Sequence, residues 1–159
     1  MEKSLTPLPT PESTETLQTI KDTIDKSYTI EQAAAMNPLA LAYIGDGIFS
    51  DLIRKYLLGC GHQNVNFMTK TSITYVRASA QAQIVRALLP ELSEAEERMV
   101  KRGRNTASQV PKNANPSDYR YATGFETLIG YLFLCGETER MNELIFKSIE
   151  IINHLVPVK

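Results

Sequence analysis

The amino-acid sequence predicts an all-α fold. Three observations support this: apolar residues recur at helical spacing over most of the chain, Pro and Gly stand where helices would begin and end, and no segment shows the alternation of a half-buried strand. With 159 residues and 43% hydrophobic side chains, the chain is large enough to bury one core. We therefore expect one helical domain over residues 26–159.

The amino-terminal segment differs from the rest in composition. Residues 1–25 are rich in Pro, Thr, Ser and Glu and poor in large apolar side chains. Burial cannot offset the entropy lost on ordering such a segment. We predict a flexible tail over residues 1–25.

The first helix of the predicted domain is apolar on nearly every side. Asn37 and Pro38 supply an N-cap followed by proline at the first helical position, and the apolar run from Leu39 ends at Leu58 and Gly59. A helix without a polar face must be covered by other elements. We expect this helix to lie at the centre of the fold.

Two segments with helical spacing follow. Residues 67–89 form one helix, or two helices broken near Arg77, and end at Pro90. The sequence SEAE is a capping-box pattern, and it opens a charged helix that runs to about Arg104. Both segments are amphipathic, so they should pack on the apolar helix.

The last part of the chain supplies a second apolar helix and a closing amphipathic one. Residues 105–116 form a loop by composition. Ser117 or Asp118 then caps the apolar helix, which ends at Gly136. Residues 138–155 form the closing helix.

The composition narrows the class of protein. A formal net charge of −1 argues against a histone-like nucleic-acid binder but is compatible with a local basic face. Cys60 and Cys135 match neither a disulfide framework nor a zinc spacing. No apolar run reaches transmembrane length, and the amino terminus lacks a signal-peptide core. We expect a soluble cytoplasmic protein without a membrane partner.

Each of the two apolar helices carries one acid, Asp46 in YIGDGIF and Glu126 in TGFETLIGY. A buried unpaired carboxylate is costly, so each needs a cation, a hydrogen-bond donor or a place at a groove. The positions four residues away hold small side chains: Ala42 and Ser50 beside Asp46, Ala122 and Gly130 beside Glu126. We expect a shallow recess around each acid. Gly45 and Gly47 then indicate close approach of the backbone to a partner helix or a ligand.

Two interpretations of these acids remain open. They are structural acids, bonded to a hydroxyl such as that of Tyr121 or paired with Arg54 or Arg120, or they hold a hard metal ion. Two acids in matching settings favour the metal site, and oxygen ligands without a His or Cys cluster select Mg²⁺ or Mn²⁺ over zinc. His62 and His154 form no recognisable ligand spacing.

A basic segment lies between the two acids in the sequence. Its polar members are Lys101, Arg102, Arg104, Asn105 and Lys112. The cations either complement the macrodipole at a solvated helix end or bind phosphate groups. Because KRGRN leads into the second apolar helix, the segment suits contacts with a nucleic-acid backbone.

The chain resembles mini-ribonuclease III, the bacterial ribonuclease III relatives that consist of the catalytic domain without a double-stranded-RNA-binding domain. Three segments carry the resemblance in the same order: NPLALAYIGDGIFSDLIRKYLL, VKRGRN and PKNANPSDYRYATGFETLIGYLFL. It covers roughly residues 34–155. It implies a helical bundle like the ribonuclease III endonuclease domain, forming a homodimer that cuts double-stranded RNA with Mg²⁺, or with Mn²⁺ in its place, during maturation of precursor ribosomal RNA of the 23S type.

The resemblance also implies roles for single residues. Asp46, in the I-G-D motif, corresponds to the catalytic acid, and Glu126, in the F-E-x-L-I-G motif, corresponds to its companion, so that both take part in catalysis and hold the metal. Full-length ribonuclease III has two further acids where this chain has Ala42 and Thr123. The predicted site therefore has fewer protein ligands.

The resemblance implies a dimer, and the apolar surface suggests where it forms. Residues 38–59 and 67–89 hold more apolar surface than one small domain can cover. We expect these segments at the interface, with Tyr43 and Phe49 as contacts.

Three functions are compatible with these features. The leading one is a dimeric Mg²⁺-dependent endoribonuclease whose products carry a 5′-phosphate and a 3′-hydroxyl. The second is a ribonuclease III-like scaffold that binds ribosomal RNA without cutting it, and it would not need either acid. The third is a helical phosphohydrolase acting on small nucleotides, which would need histidine-aspartate ligands.

Overall fold

The computed structural model describes residues 16–107 and 109–156. Within these ranges the chain forms eight α-helices and one 3₁₀ turn and contains no β-strand, which confirms the all-α prediction. None of the described helices is long and apolar enough to cross a membrane. The helices are α1 (Leu17–Ile24), α2 (Ile30–Ala34), α3 (Pro38–Gly59), α4 (Val65–Val76), α5 (Ala78–Leu88), α6 (Glu94–Thr106), α7 (Pro116–Leu134) and α8 (Thr138–Leu155), with the 3₁₀ turn at Leu89–Glu91.

Asparagine followed by proline starts both apolar helices. At α3 the Asn37 side chain accepts a hydrogen bond from the backbone N–H of the second helical residue, as predicted. At α7 the Asn115 side chain accepts from the N–H of Asp118 at 3.0 Å, and Pro116 is the first helical residue. The predicted cap at Ser117 or Asp118 is wrong, because the motif that starts α3 also starts α7.

Two boundaries in the smaller helices agree with the sequence. The extended backbone of Arg77 separates α4 from α5. Ser93 and Glu96 form a reciprocal capping box at the start of α6. Arg140 of α8 then binds both carboxylate oxygens of Glu96, at 2.9 and 3.0 Å, so this buried pair ties α6 to α8.

The structure corrects the predicted tail. Residues 1–15 lie outside the described ranges, but Leu17–Ile24 is an α-helix whose N-cap, Thr16, accepts a hydrogen bond from the N–H of Thr19. No residue of α1 is buried, and Leu17 is 87% exposed. Local capping and helical spacing therefore form this helix without packing on the core, which an average composition over residues 1–25 could not reveal.

The core is built around α7, which packs against α3, α5 and α6. Phe49 of α3 and Phe125 of α7 are fully buried and meet edge to face with their ring centroids 5.1 Å apart. Phe49 is thus a core residue, and its predicted role as a dimer contact is wrong. On the opposite side, a Cβ on Gly124 would lie 2.6 Å from the carbonyl oxygen of Val100, so α6 also packs closely on α7.

The backbones of α3 and α7 touch at two glycines. A Cβ on Gly45 would overlap the carbonyl oxygen of Glu126, and a Cβ on Gly130 would overlap the carbonyl oxygen of Leu41. Gly47 is exposed, and a Cβ there would meet nothing within 4 Å. The crossing of α3 and α7 therefore depends on Gly45 and Gly130, whereas Gly47 makes no such contact.

Alanine at the two glycines of α3 should have opposite effects on stability. Gly45→Ala forces α3 away from the backbone of α7 and should lower the free energy of unfolding by roughly 3 kcal/mol. Gly47→Ala improves helix propensity without a clash and should raise it by up to about 1 kcal/mol. Urea denaturation of both variants measures the difference. A Gly45→Ala variant as stable as wild type would contradict the backbone contact.

Candidate active site

The crossing of α3 and α7 brings Asp46 and Glu126 together. Asp46 follows Gly45, which lies against the backbone of Glu126. The two carboxyl groups are close enough for the charge of Asp46 to raise the pKa of Glu126. The two acids predicted from separate motifs therefore face one site, although they are 80 positions apart in the sequence.

The two acids have different surroundings. Asp46 is exposed, whereas the Glu126 carboxyl is largely shielded from water. Burial, and then the charge of Asp46, raise the pKa of Glu126 from 4.5 to about 8, and the neighbouring Gln81 amide offsets part of this rise. Near neutral pH the metal-free pair therefore holds a proton on Glu126.

Neither acid behaves as a satisfied structural carboxylate. Across residues 16–107 and 109–156, no salt bridge or direct hydrogen bond to a side chain involves either acid. Tyr121, considered above as a partner, instead lies beside Arg86 and Arg104. A half-buried acid next to a second acid, without a cation, is a costly arrangement for structure alone.

The donor set of this acid pair fits a hard divalent cation. Two carboxylates offer oxygen ligands and a negative charge that a dication would neutralise in place of the proton. The described residues contain no cluster of three or more His, Cys, Asp or Glu side chains that could hold a metal ion. The remaining positions around an ion would be filled by water and by phosphate oxygens.

The predicted recess of small residues is wrong. Ala42 and Ala122 are 6% and 5% exposed, and Gly130 lies against the backbone of Leu41. These small residues let α3 and α7 approach each other, so they form a helix contact and leave no hollow beside the acids. Their effect on the site is indirect, because the close crossing is what sets Asp46 beside the Glu126 side chain.

The predicted basic residues do not form one cluster. Arg102 donates to the backbone carbonyl oxygens of Ala34 and Met36, the latter at 3.2 Å, and so links α6 to the segment before α3. This use of its guanidinium contradicts the prediction that Arg102 binds phosphate. Lys101 pairs with Glu97 at 3.1 Å on the solvent side of α6.

The other basic residues border a polar groove of about 780 Å³ at the start of α7. Its polar and aromatic lining residues are Arg104, Asn105, Asn115, Ser117, Arg120 and Tyr121. Asp46 and Glu126 do not line it, but Tyr121 precedes Glu126 by five residues, which is about 7.5 Å along the helix axis. Lys112 is exposed in the loop before α7.

Tyr121 organises the cations at this groove. The guanidinium of Arg86 lies 4.8 Å from the centre of the Tyr121 ring, and that of Arg104 lies 5.6 Å from it. Arg86 also donates to the Ser117 hydroxyl at 3.1 Å. Sequence reasoning missed Arg86, Arg120 and Tyr121, and the alternation of aromatic and basic residues in YRY was the available signal.

Comparison with known proteins gives a consistent result. The family model for the ribonuclease III domain matches residues 39–137, which span α3 to the end of α7 and include both acids. Mini-ribonuclease 3 of Thermoanaerobacter sp. (strain X514) is 44% identical over 125 residues, covering 78% of this chain and 88% of the relative. Mini-ribonuclease 3 of Enterococcus faecalis is 48% identical over 113 residues, covering 69% of this chain and 86% of the relative.

A crystal structure of a Fusobacterium nucleatum protein has a similar fold. It superposes with a TM-score of 0.67 at 30% sequence identity. The match covers 72% of this chain and 93% of that protein. The similarity therefore extends over nearly the whole of the other molecule.

Removing the Glu126 charge should change how stability depends on pH. Because the pKa of Glu126 is about 8 in the folded chain against 4.5 for an ordinary glutamate, the folded state alone binds the proton between these values. The stability of the metal-free protein should therefore fall as the pH rises through this window. Thermal unfolding in EDTA between roughly pH 5 and pH 9 should show this fall for wild type and a flatter profile for Glu126→Gln.

A matched variant controls for the loss of any surface carboxylate. Glu150 is an exposed glutamate on α8, and Glu150→Gln should keep the wild-type profile. A Glu126→Gln variant with the wild-type profile would contradict the assigned environment of Glu126.

Proposed function

The chain belongs to the mini-ribonuclease III branch of the ribonuclease III family of endoribonucleases, and from this premise we propose that it cleaves double-stranded RNA with Mg²⁺ held by Asp46 and Glu126. Mn²⁺ would be a substitute of similar ligand preference. The observation that carries the proposal is the acid pair at the crossing of α3 and α7, where Glu126 is shielded from water without a counter-charge.

The two acids have complementary parts in this proposal. Asp46 is exposed and can meet both an ion and the phosphate of a bound strand, while Glu126 holds the ion from below on a rigid helix. When bound, a divalent ion lowers the pKa of a water ligand and neutralises charge on the scissile phosphate. Binding also releases the proton of Glu126, so the pair gains its full negative charge only with the ion. The products would carry a 5′-phosphate and a 3′-hydroxyl.

The groove at the start of α7 would receive the RNA backbone next to the acids. An A-form duplex is recognised largely through its phosphates and 2′-hydroxyls, since its deep groove hides the bases. Arg104, Asn105 and Arg120 supply suitable donors in the groove, and Arg86 and Tyr121 hold the side of Arg104 in place. Lys101 and Lys112 are exposed and would contribute charge at the margin.

A homodimer would give each strand of the duplex its own site. Tyr43 is 81% exposed and lies three residues before Asp46, and Leu39 and Ile73 are 41% and 50% exposed on α3 and α4. These side chains form apolar surface beside the acid pair that a second copy could cover. Two sites related by a two-fold axis match the two antiparallel strands of the duplex.

The substrate proposed for this enzyme is a duplex within precursor ribosomal RNA of the 23S type. Support comes from the family resemblance and from a binding surface that suits duplex shape without base contacts. A ribosomal RNA substrate would place the protein in the cytoplasm. The alternative, a scaffold that binds RNA without cutting it, predicts that the two acids can be neutralised without consequence for RNA maturation.

Neutralising either acid should abolish cleavage and keep RNA binding. Asp46→Asn and Glu126→Gln preserve side-chain size but weaken the ion site, so cleavage of duplex RNA in Mg²⁺ should fall on the order of 10³-fold. Binding of the duplex should persist or strengthen, because a charge that repels phosphates is lost. Single-turnover cleavage and filter binding measure the two effects.

Asp51→Asn is the matched control for this pair. Asp51 is also an exposed aspartate on α3, and its replacement should leave cleavage within about 2-fold of wild type. An Asp46→Asn variant that cuts at the wild-type rate would exclude the acid pair as the catalytic site and favour the scaffold.

Arginines of the groove and Arg102 should affect RNA binding differently. Arg104→Gln with Arg120→Gln should weaken duplex binding and reduce its salt dependence by about one unit of slope per lost contact, scaled by roughly 0.9 as for B-DNA. Arg102→Gln removes hydrogen bonds to two backbone carbonyls, so it should lower Tm and leave the salt slope unchanged. Binding titrations at several salt concentrations test both; a reduced slope for Arg102→Gln alone would restore Arg102 to the binding surface.

A further inference from the structure

Gln81 is a polar side chain in the apolar interior of α5. It is 1% exposed, and its neighbours Ala80, Ala82 and Ile84 are buried as well. Its Nε2 donates to the carbonyl oxygen of Val76 at 2.8 Å. Val76 is the last residue of α4, so this hydrogen bond spans the break between α4 and α5.

The same amide faces the acid pair. Gln81 lowers the pKa of Glu126, and only a group that donates to a carboxylate favours its charged form. The NH₂ end is therefore turned toward Glu126, and Val76 fixes this orientation, because a flipped amide would set two carbonyl oxygens against each other. The approach to Glu126 is longer than a direct hydrogen bond, since the only partner that Nε2 reaches among the described residues is Val76.

The other end of the amide has no partner. Oε1 of Gln81 is the buried side-chain oxygen left without a hydrogen bond among the described residues. Such an oxygen costs about 1 to 3 kcal/mol, which an apolar residue at this position would avoid. A purely structural role therefore explains Gln81 poorly, whereas a use for its NH₂ group accounts for an amide in this place.

We propose that Gln81 is a positioning residue of the acid pair: its NH₂ group, fixed by the Val76 carbonyl, orients the Glu126 carboxylate toward a divalent ion. The proposal rests on the function proposed above. With only two acids at the site, the orientation of each decides how well the ion is held. Groups that orient metal ligands in this way typically contribute 10- to 100-fold to metal affinity.

Binding of Mn²⁺ to the RNA-free protein tests the proposal, measured by electron paramagnetic resonance of free Mn²⁺. Gln81→Met keeps the length and volume of the side chain but removes the amide. It should weaken Mn²⁺ binding by about 10-fold or more. In duplex cleavage it should lower kcat at limiting metal, with KM for RNA unchanged, and added Mn²⁺ should restore the rate. Gln83→Met, at an exposed position of the same helix, is the matched control and should bind Mn²⁺ as wild type does.

The outcomes separate this proposal from the function on which it rests. A folded Gln81→Met variant with wild-type Mn²⁺ affinity overturns the role of Gln81, even if Tm falls. If Gln81→Met does not fold, Gln81→Asn decides, since it keeps an amide but withdraws it by one methylene; weakened Mn²⁺ binding supports the proposal and wild-type binding overturns it. If Asp46→Asn binds Mn²⁺ as wild type does, the acid pair is not the ion site and the proposed function fails first.

Discussion

The contact between the backbones of α3 and α7 is the constraint on which the rest of the structure depends. Gly45 and Gly130 leave no room for a Cβ on either side of the crossing, so the two helices are held at one relative position. Asp46 follows Gly45, and the Gly45 contact is with Glu126 itself. The same contact therefore packs the core and sets the spacing of the acid pair.

This arrangement links stability to function through the charge of one side chain. Glu126 is shielded from water next to a second acid, and its pKa of about 8 expresses that unfavourable setting, each pKa unit corresponding to about 1.4 kcal/mol. The folded protein avoids the cost by keeping a proton on Glu126. A divalent ion would remove the same cost by supplying the missing positive charge, which is why a strained pair of acids is better explained as an ion site than as a structural feature.

Much of this fold could be predicted from local sequence signals, and what could not depends on tertiary contacts. Asn37 with Pro38 identified the start of α3, and Ser93 with Glu96 identified that of α6, because caps act within one helical turn. The helix in the amino-terminal segment was missed because it is also a local feature, hidden by averaging composition over 25 residues. Asp46 and Glu126 stood out as acids in apolar helices, but their proximity follows from the register of two helices far apart in sequence.

The basic surface shows the same limit. Arg102 and Arg104 are two residues apart and look alike in sequence, yet one reaches backbone carbonyls before α3 and the other reaches the Tyr121 ring on α7. Only the packed structure distinguishes them. It also shows that the small residues around the acids serve the helix crossing and form no recess.

The location of a bound divalent ion tests the central claim most directly. Anomalous diffraction from crystals of the protein soaked in Mn²⁺ would locate the ion independently of any activity. A peak within about 2.1 Å of oxygens from both Asp46 and Glu126 is the expected result. Occupied Mn²⁺ sites elsewhere with an empty acid pair would contradict the claim that the crossing of α3 and α7 builds the ion site.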